Sequence, residues 1–270
     1  MMARLQRLIS WYWQAKTAFS VHSPLVYHFC ESVLDDQRWY YAFESIEVER
    51  SRLRQDTTLI QNTGYGAGSR VKIADENEVR TILQASSSQP WKGRLLFRIC
   101  KWWQPDTIIE FGTSLGISSA YLASARQSAT MYTVDGNAAG LSIAQSLWHA
   151  IQLTNIHSIH ARFQDAWQQI PDLNKKRVLI FLDGDHQSEH VGQMLAEIAQ
   201  HCTKPYLVII DDIRWSADME NGWHRWSTSH GGAWLDLFQA GIWISNEAFL
   251  EPIKMNLIPR RFKPIRLGWI

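Results

Sequence analysis

Cysteine is scarce in this chain, with three among 270 residues, Cys30, Cys100 and Cys202. Their odd number and wide separation exclude a disulfide framework and offer no metal-ligand spacing, so a reducing, cytoplasmic setting is expected. Charge of one sign is also missing. Lys and Arg total 27 against 26 Asp and Glu, a net charge of +1, which argues against a nucleic-acid partner held by a dominant basic field. No apolar run approaches the roughly 20 residues that cross a bilayer. Gln14 and Lys16 cut the first apolar stretch short, against a cleaved signal peptide. Internal repeats and low-complexity tracts are lacking as well. What the chain does have is a composition that is 46% hydrophobic and 20% charged, enough to bury a real core, and 14 tryptophans.

The charge is laid out unevenly. The first twenty residues hold Arg4, Arg7 and Lys16 and no acid, and the tail beyond Leu250 holds five basic residues against Glu251. Ends of +3 and +4 within a total of +1 leave about −6 for the body between them, so the ends are expected to dock on that body or to meet an acidic partner. Leu5, Leu8, Ile9 and Tyr12 form one apolar stripe at helical spacing. Packing of this stripe on the protein itself is the expectation, with peripheral contact to a membrane surface left open.

Residues 1–88 read as a helical cap: a first helix, a second entered through Ser23-Pro24 and running to Leu34, and a third over Tyr41–Arg54. The glycine-rich run Gly64–Ser69 follows as a turn or a lid, and Ser86–Pro90 punctuates the end of this part. Beyond it the pattern alternates. Strands are expected at Thr107–Phe111, Met131–Val134, Asn155–Ile159, Val178–Leu182 and Tyr206–Ile210, with amphipathic helices between them. Continuous apolar strands joined by helices imply an α/β, doubly wound, mostly parallel sheet covered on both faces. Ala233–Phe238 and Ile242–Ser245, around Gln239-Ala240-Gly241, imply a closing antiparallel hairpin. The expected organisation is a cap over 1–88, a main domain over 89–250 and a basic tail over 251–270.

In such a sheet ligands bind outside the carboxyl ends of the strands. Four of the five parallel strands end in acid: Glu110 before Gly112-Thr113-Ser114-Leu115-Gly116, then Asp135, Asp183 and the pair Asp211-Asp212. Clustered carboxylates need a cation or hydrogen-bond donors among them, and a sulfonium, ribose hydroxyls or a divalent metal would each serve. The spacing E-x-G-x-x-x-G is not the G-x-G-x-x-G of a dinucleotide site, which counts against a nicotinamide-dependent oxidoreductase.

Ile108–Ser118, with Thr133–Asn137, Phe181–His186 and Ile210–Asp212, resembles the motif series of class I S-adenosylmethionine-dependent methyltransferases of the O-methyltransferase-like branch. Phe19–Pro24 and Gly66–Ser69 resemble the extra N-terminal region of a bacterial subgroup. The resemblance implies a seven-stranded Rossmann-like sheet, O-methylation of a small hydroxylated acceptor and S-adenosylmethionine as methyl donor. It implies that Glu110, Gly112, Thr113, Ser114, Gly116 and Ser118 hold the methionine end of the donor and Asp135 its ribose. The adenine contact falls near Phe163, Gln164 or Asp165, and Asp183 also lines the cofactor site. By analogy with metal-dependent members, Asp183, Asp211 and Asp212 would bind Mg2+, and His186, three residues beyond Asp183, would be the general base. His190 and His224 are weaker candidates. Trp215, Met219, Trp223 and Trp226 wall an acceptor pocket or simply pack. A homodimer is left open. The alternatives are a catalytically silent methyltransferase-fold scaffold and, more weakly, a nucleic-acid methyltransferase, whose N/D-P-P-Y/F tetrapeptide is absent.

Overall fold

A computed structural model describes residues 2–61, 76–86, 89–247, 249 and 251–263. The glycine run Gly64–Ser69, Ser87, Ser88 and the tail beyond Lys263, with Arg266, lie outside the described residues. The N-terminal part comprises α1 (Met2–Gln14), α2 (Pro24–Phe29) with a π-helical turn over Cys30–Leu34, α3 (Tyr41–Leu53), the short strands β1 (Leu59–Gln61) and β2 (Glu76–Glu78), and α4 (Val79–Ser86). There follow α5 (Pro90–Trp103), β3 (Thr107–Phe111), α6 (Ile117–Ala125), β4 (Thr130–Asp135), α7 (Ala138–Ala150), β5 (Ile156–His160) and α8 (Phe163–Ala166). The chain continues through β6 (Val178–Leu182), α9 (Ser188–His201), β7 (Tyr206–Ile210), α10 (Ala217–Ser229), β8 (Ala233–Asp236), β9 (Gly241–Ser245) and β10 (Ile253–Asn256).

The main sheet has the order β10-β8-β9-β7-β6-β3-β4-β5. β3 pairs in parallel with β4 on one side and β6 on the other, while β9 runs antiparallel to both β7 and β8. The chain therefore winds outward from β3 to β5 and returns to β6, and the crevice lies at the carboxyl ends of β3 and its neighbours. β3, β6 and β7 are buried along their whole length, which is why β6 and β7 are continuously apolar rather than alternating and β3 departs from this only at Thr107 and Glu110.

The sheet has eight strands, not the seven expected. The supposed tail contributes β10, parallel to β8, with Ile253 and Met255 packed against the core and Lys254 exposed. In the cap, β1 and β2 pair antiparallel where only helices and loops were expected. The apolar stripe of α1 departs from expectation too. Trp11 and Ala15 are buried beside Ile258, whereas Leu5, Ile9 and Trp13 are 56%, 48% and 64% exposed. Among the described residues no helix is long and apolar enough to cross a membrane. The basic ends do meet the acidic body: Arg7 pairs with Glu220, and Arg260 pairs with Glu31 and Asp35.

Candidate active site

The crevice is built from the turns that leave β3, β4, β6 and β7. β3 ends in Gly112, whose φ of +108° and whose position leave no room for a side chain: a Cβ would lie 2.2 Å from the Asp183 carbonyl oxygen. Gly116, at φ +76°, starts α6, and a Cβ there would lie 2.6 Å from that of Ala144 on α7. The two glycines let β3 meet the β6 turn and α6 meet α7, so the loop between them is held tightly. Ser114 takes a left-handed conformation at φ +48°, and its N–H donates to Asp135 Oδ2 at 2.8 Å.

Asp135 closes β4 and is pinned from two sides, since Asn137 N–H donates to its Oδ1 at 2.8 Å. Burial raises its pKa, and backbone donors from Ser114 and Asn137 act the other way.

Glu110 lies deeper. It is wholly buried beneath the first turn of α6, where Ser119 Oγ donates to its Oε2 and Thr133 Oγ1 donates to the same oxygen at 2.6 Å. Thr113 and Thr133 hydroxyls are 2.6 Å apart, so Thr113 feeds this chain. Burial lifts the carboxyl to about 7 against the pull of these hydroxyls. Its Oε1 is buried without a partner among the described residues, an acceptor suited to an added donor. Phe163 leans inward over Gly184 and against Phe111, with ring centroids 5.4 Å apart, whereas Gln164 and Asp165 are exposed on α8.

At the β6 and β7 ends the structure departs from the expected magnesium set. Lys92, on the first turn of α5, reaches Asp211 Oδ2 at 2.7 Å and stands 3.8 Å from Asp212 Oδ1. Burial disfavours its charge, but Asp211, Asp183 and Asp212 together overcome this and raise its pKa. Asp183 is pushed well above the carboxylate range, by burial and by the Asp211 charge beside it. A divalent ion does not fit here. It would share carboxylate oxygens with an ammonium already in contact, and two cations at that separation repel strongly in a poorly hydrated site. Among the described residues no three His, Cys, Asp or Glu side chains are grouped to hold a metal ion.

His186 is half-buried and packs against Trp215, with ring centroids 4.8 Å apart. His190 is tied to Asp185, and His224 is exposed on α10. Met219, Trp223 and Trp226 are core residues, so of the aromatic group only Trp215 stands at the crevice. Lys92 is the residue that sequence reasoning missed. Its signal was available: it lies three residues before Leu95 and seven before Ile99, on the apolar stripe of α5. A charge on a buried stripe calls for a buried partner.

Residues 109–213 match the family model described as a methyltransferase domain. No curated protein matches the sequence. Among solved structures, the fold is shared with the S-adenosylhomocysteine-bound methyltransferase PaMTH1 of Podospora anserina, at 11% identity and a TM-score of 0.55 over 83% of this chain and 93% of that one. It is shared with the O-methyltransferase TomG of Streptomyces achromogenes, in complex with S-adenosylmethionine, at 11% identity and 0.54 over 81% and 95%. The O-methyltransferase of Bacillus cereus, in complex with S-adenosylhomocysteine, aligns at 16% identity and 0.50 over 71% and 79%. The glycine loop, the β4 carboxylate and the acidic strand ends are thus set around one crevice in a chain that matches a methyltransferase-domain model over residues 109–213 and shares the fold of these solved methyltransferases.

Proposed function

We propose that the chain O-methylates a small hydroxylated acceptor, with S-adenosylmethionine bound across the carboxyl ends of β3 and β4. The observation that carries this reading is Asp135, a carboxylate held at the end of β4 by the backbone N–H groups of Ser114 and Asn137. Such a carboxylate suits a vicinal diol, whose two hydroxyls donate in parallel. Ser114 and Gly116 shape the loop above it, and the unpartnered Glu110 Oε1 fits the ammonium of an amino-acid moiety. Phe163 offers an apolar surface near the β6 turn, with Gln164 and Asp165 beside it as polar contacts for adenine. When bound, the cofactor supplies an electrophilic methyl on its sulfonium.

The chain's own residues then have two tasks. They hold the acceptor oxygen in line, and they take its proton. His186 is the residue we assign to the second task, and its ring packs on Trp215. Calorimetry with S-adenosylhomocysteine tests the reading. Wild type is expected to bind it, and Asp135→Ala to weaken binding at least tenfold, as loss of charged hydrogen bonds worth about 1.5–3 kcal/mol requires. Binding that ignores Asp135→Ala would remove the ribose assignment. No binding by wild type would favour the silent scaffold, for which the exposed Leu5, Ile9 and Trp13 of α1 offer a contact face.

A further inference from the structure

The carboxylates at the ends of β6 and β7 pose an electrostatic problem whatever the reaction. Asp211 is 2% exposed, Asp212 follows it directly, and the Asp211 charge acts on the neighbouring Asp183 carboxyl. Three acids so close, in a site with little water, must be matched by positive charge or protonated. The match comes from outside the sheet. α5 precedes β3 in the chain, and its third residue, Lys92, turns inward with a side chain 13% exposed and an ammonium 2.7 Å from Asp211. Only one of its three N–H donors has an acceptor within hydrogen-bonding distance among the described residues. The contact spans 119 positions of sequence, and it ties the helix that begins the main domain to the rim of the sheet.

We propose that Lys92 is the resident cation of this site: its ammonium supplies the positive charge that Asp183, Asp211 and Asp212 call for, in place of a divalent metal. The geometry supports this directly. Asp211 Oδ2 is already bonded to the Lys92 nitrogen at 2.7 Å, and Asp212 Oδ1 stands 3.8 Å from it. An ammonium held on a helix also fixes α5 against the strand ends in a way that an exchangeable ion would not. Donor binding at β3 and β4 therefore proceeds without a divalent ion. That last step rests on the methyltransferase reading, whereas the charge replacement does not.

Manganese, followed by its electron paramagnetic resonance signal and by calorimetry, is the probe. Wild type is expected to show no saturable binding at up to about 1 mM Mn2+, a weak-affinity limit for oxygen-ligand sites. Lys92→Met, which leaves the acids uncompensated, is expected to gain one Mn2+ per chain, to melt at a higher temperature when Mn2+ is added, and to lose both effects with Asp212→Asn. One saturable Mn2+ in wild type that Asp212→Asn removes would overturn the proposal, as would a folded Lys92→Met that takes up no Mn2+. The wild-type titration decides the matter even if Lys92→Met does not fold. S-adenosylhomocysteine calorimetry on the same samples, with and without chelator, separates the two readings: absence of donor binding strikes the methyltransferase assignment and leaves the manganese result standing.

Discussion

Glu110 shows how one residue can join elements of the fold and yet be held far from its ordinary titration. Its carboxyl accepts from Ser119 and Thr133 and so joins β3, β4 and α6, yet full burial lifts it to about 7 from an ordinary value near 4.5. Below the unfolded value the group is protonated in both states. Between about 4.5 and 7 the folded protein keeps a proton that the unfolded chain has lost, so this residue's contribution to stability declines as pH rises through that window, by up to about 3 kcal/mol. Comparing urea midpoints of wild type and Glu110→Gln at pH 5 and pH 8 checks this. The difference should move in favour of the variant at the higher pH, and an unchanged difference would refute the raised value. Gly112 makes a simpler case. Gly112→Ala must place a methyl 2.2 Å from the Asp183 carbonyl oxygen while holding φ at +108°. A loss of at least about 2 kcal/mol is expected in urea titrations, from strain and steric overlap together.

At the scale of elements, the sequence was most legible where burial is complete. β3, β6 and β7 were placed residue for residue because short, largely apolar runs rich in β-branched and aromatic residues admit little else at that length. The acidic residues at the strand ends were legible for the same reason: each lies at or just beyond the end of a strand that the pattern marks. What escaped was set by contacts between distant segments. β10 is a strand only because β8 has an open edge, and Lys92 is a site residue only because α5 brings it to the turn that leaves β7. The end of α1 belongs to this class. Lys263, 248 residues away from Ala15, donates to the carbonyls of Tyr12, Trp13 and Ala15, taking the place of the missing helical bonds. Lys263→Met should leave the sheet intact and speed hydrogen exchange in the last turn of α1, for a loss of about 0.5–1 kcal/mol. Unchanged exchange there would mean that the turn does not need the ammonium.

Across the whole molecule the cap and the sheet share one interior. Val26, Phe29, Phe43 and Ile46 belong to the same buried cluster as Leu96, Tyr121, Leu207 and Leu257, and Phe43 touches Tyr40, Phe97 and Tyr121 with ring centroids between 4.9 and 5.7 Å. Hydrogen bonds cross the same boundary, with Tyr121 Oη donating to Glu47 at 2.7 Å. A boundary so thoroughly packed does not open by itself, since the apolar surface released on both sides would be exposed to water together. Residues 1–88 are thus expected to unfold with the rest in one transition. Hydrogen exchange on β8 and β9 reports the sheet, while hydrogen exchange on α3 reports the cap. Phe43→Ala removes a fully buried ring from that shared interior and should cost about 3–5 kcal/mol. Because the interior is common, the loss should lower the midpoints of both probes equally, and saturating S-adenosylhomocysteine should raise both equally. A shift confined to the α3 probe would show instead that the cap is a separate unit resting on the sheet.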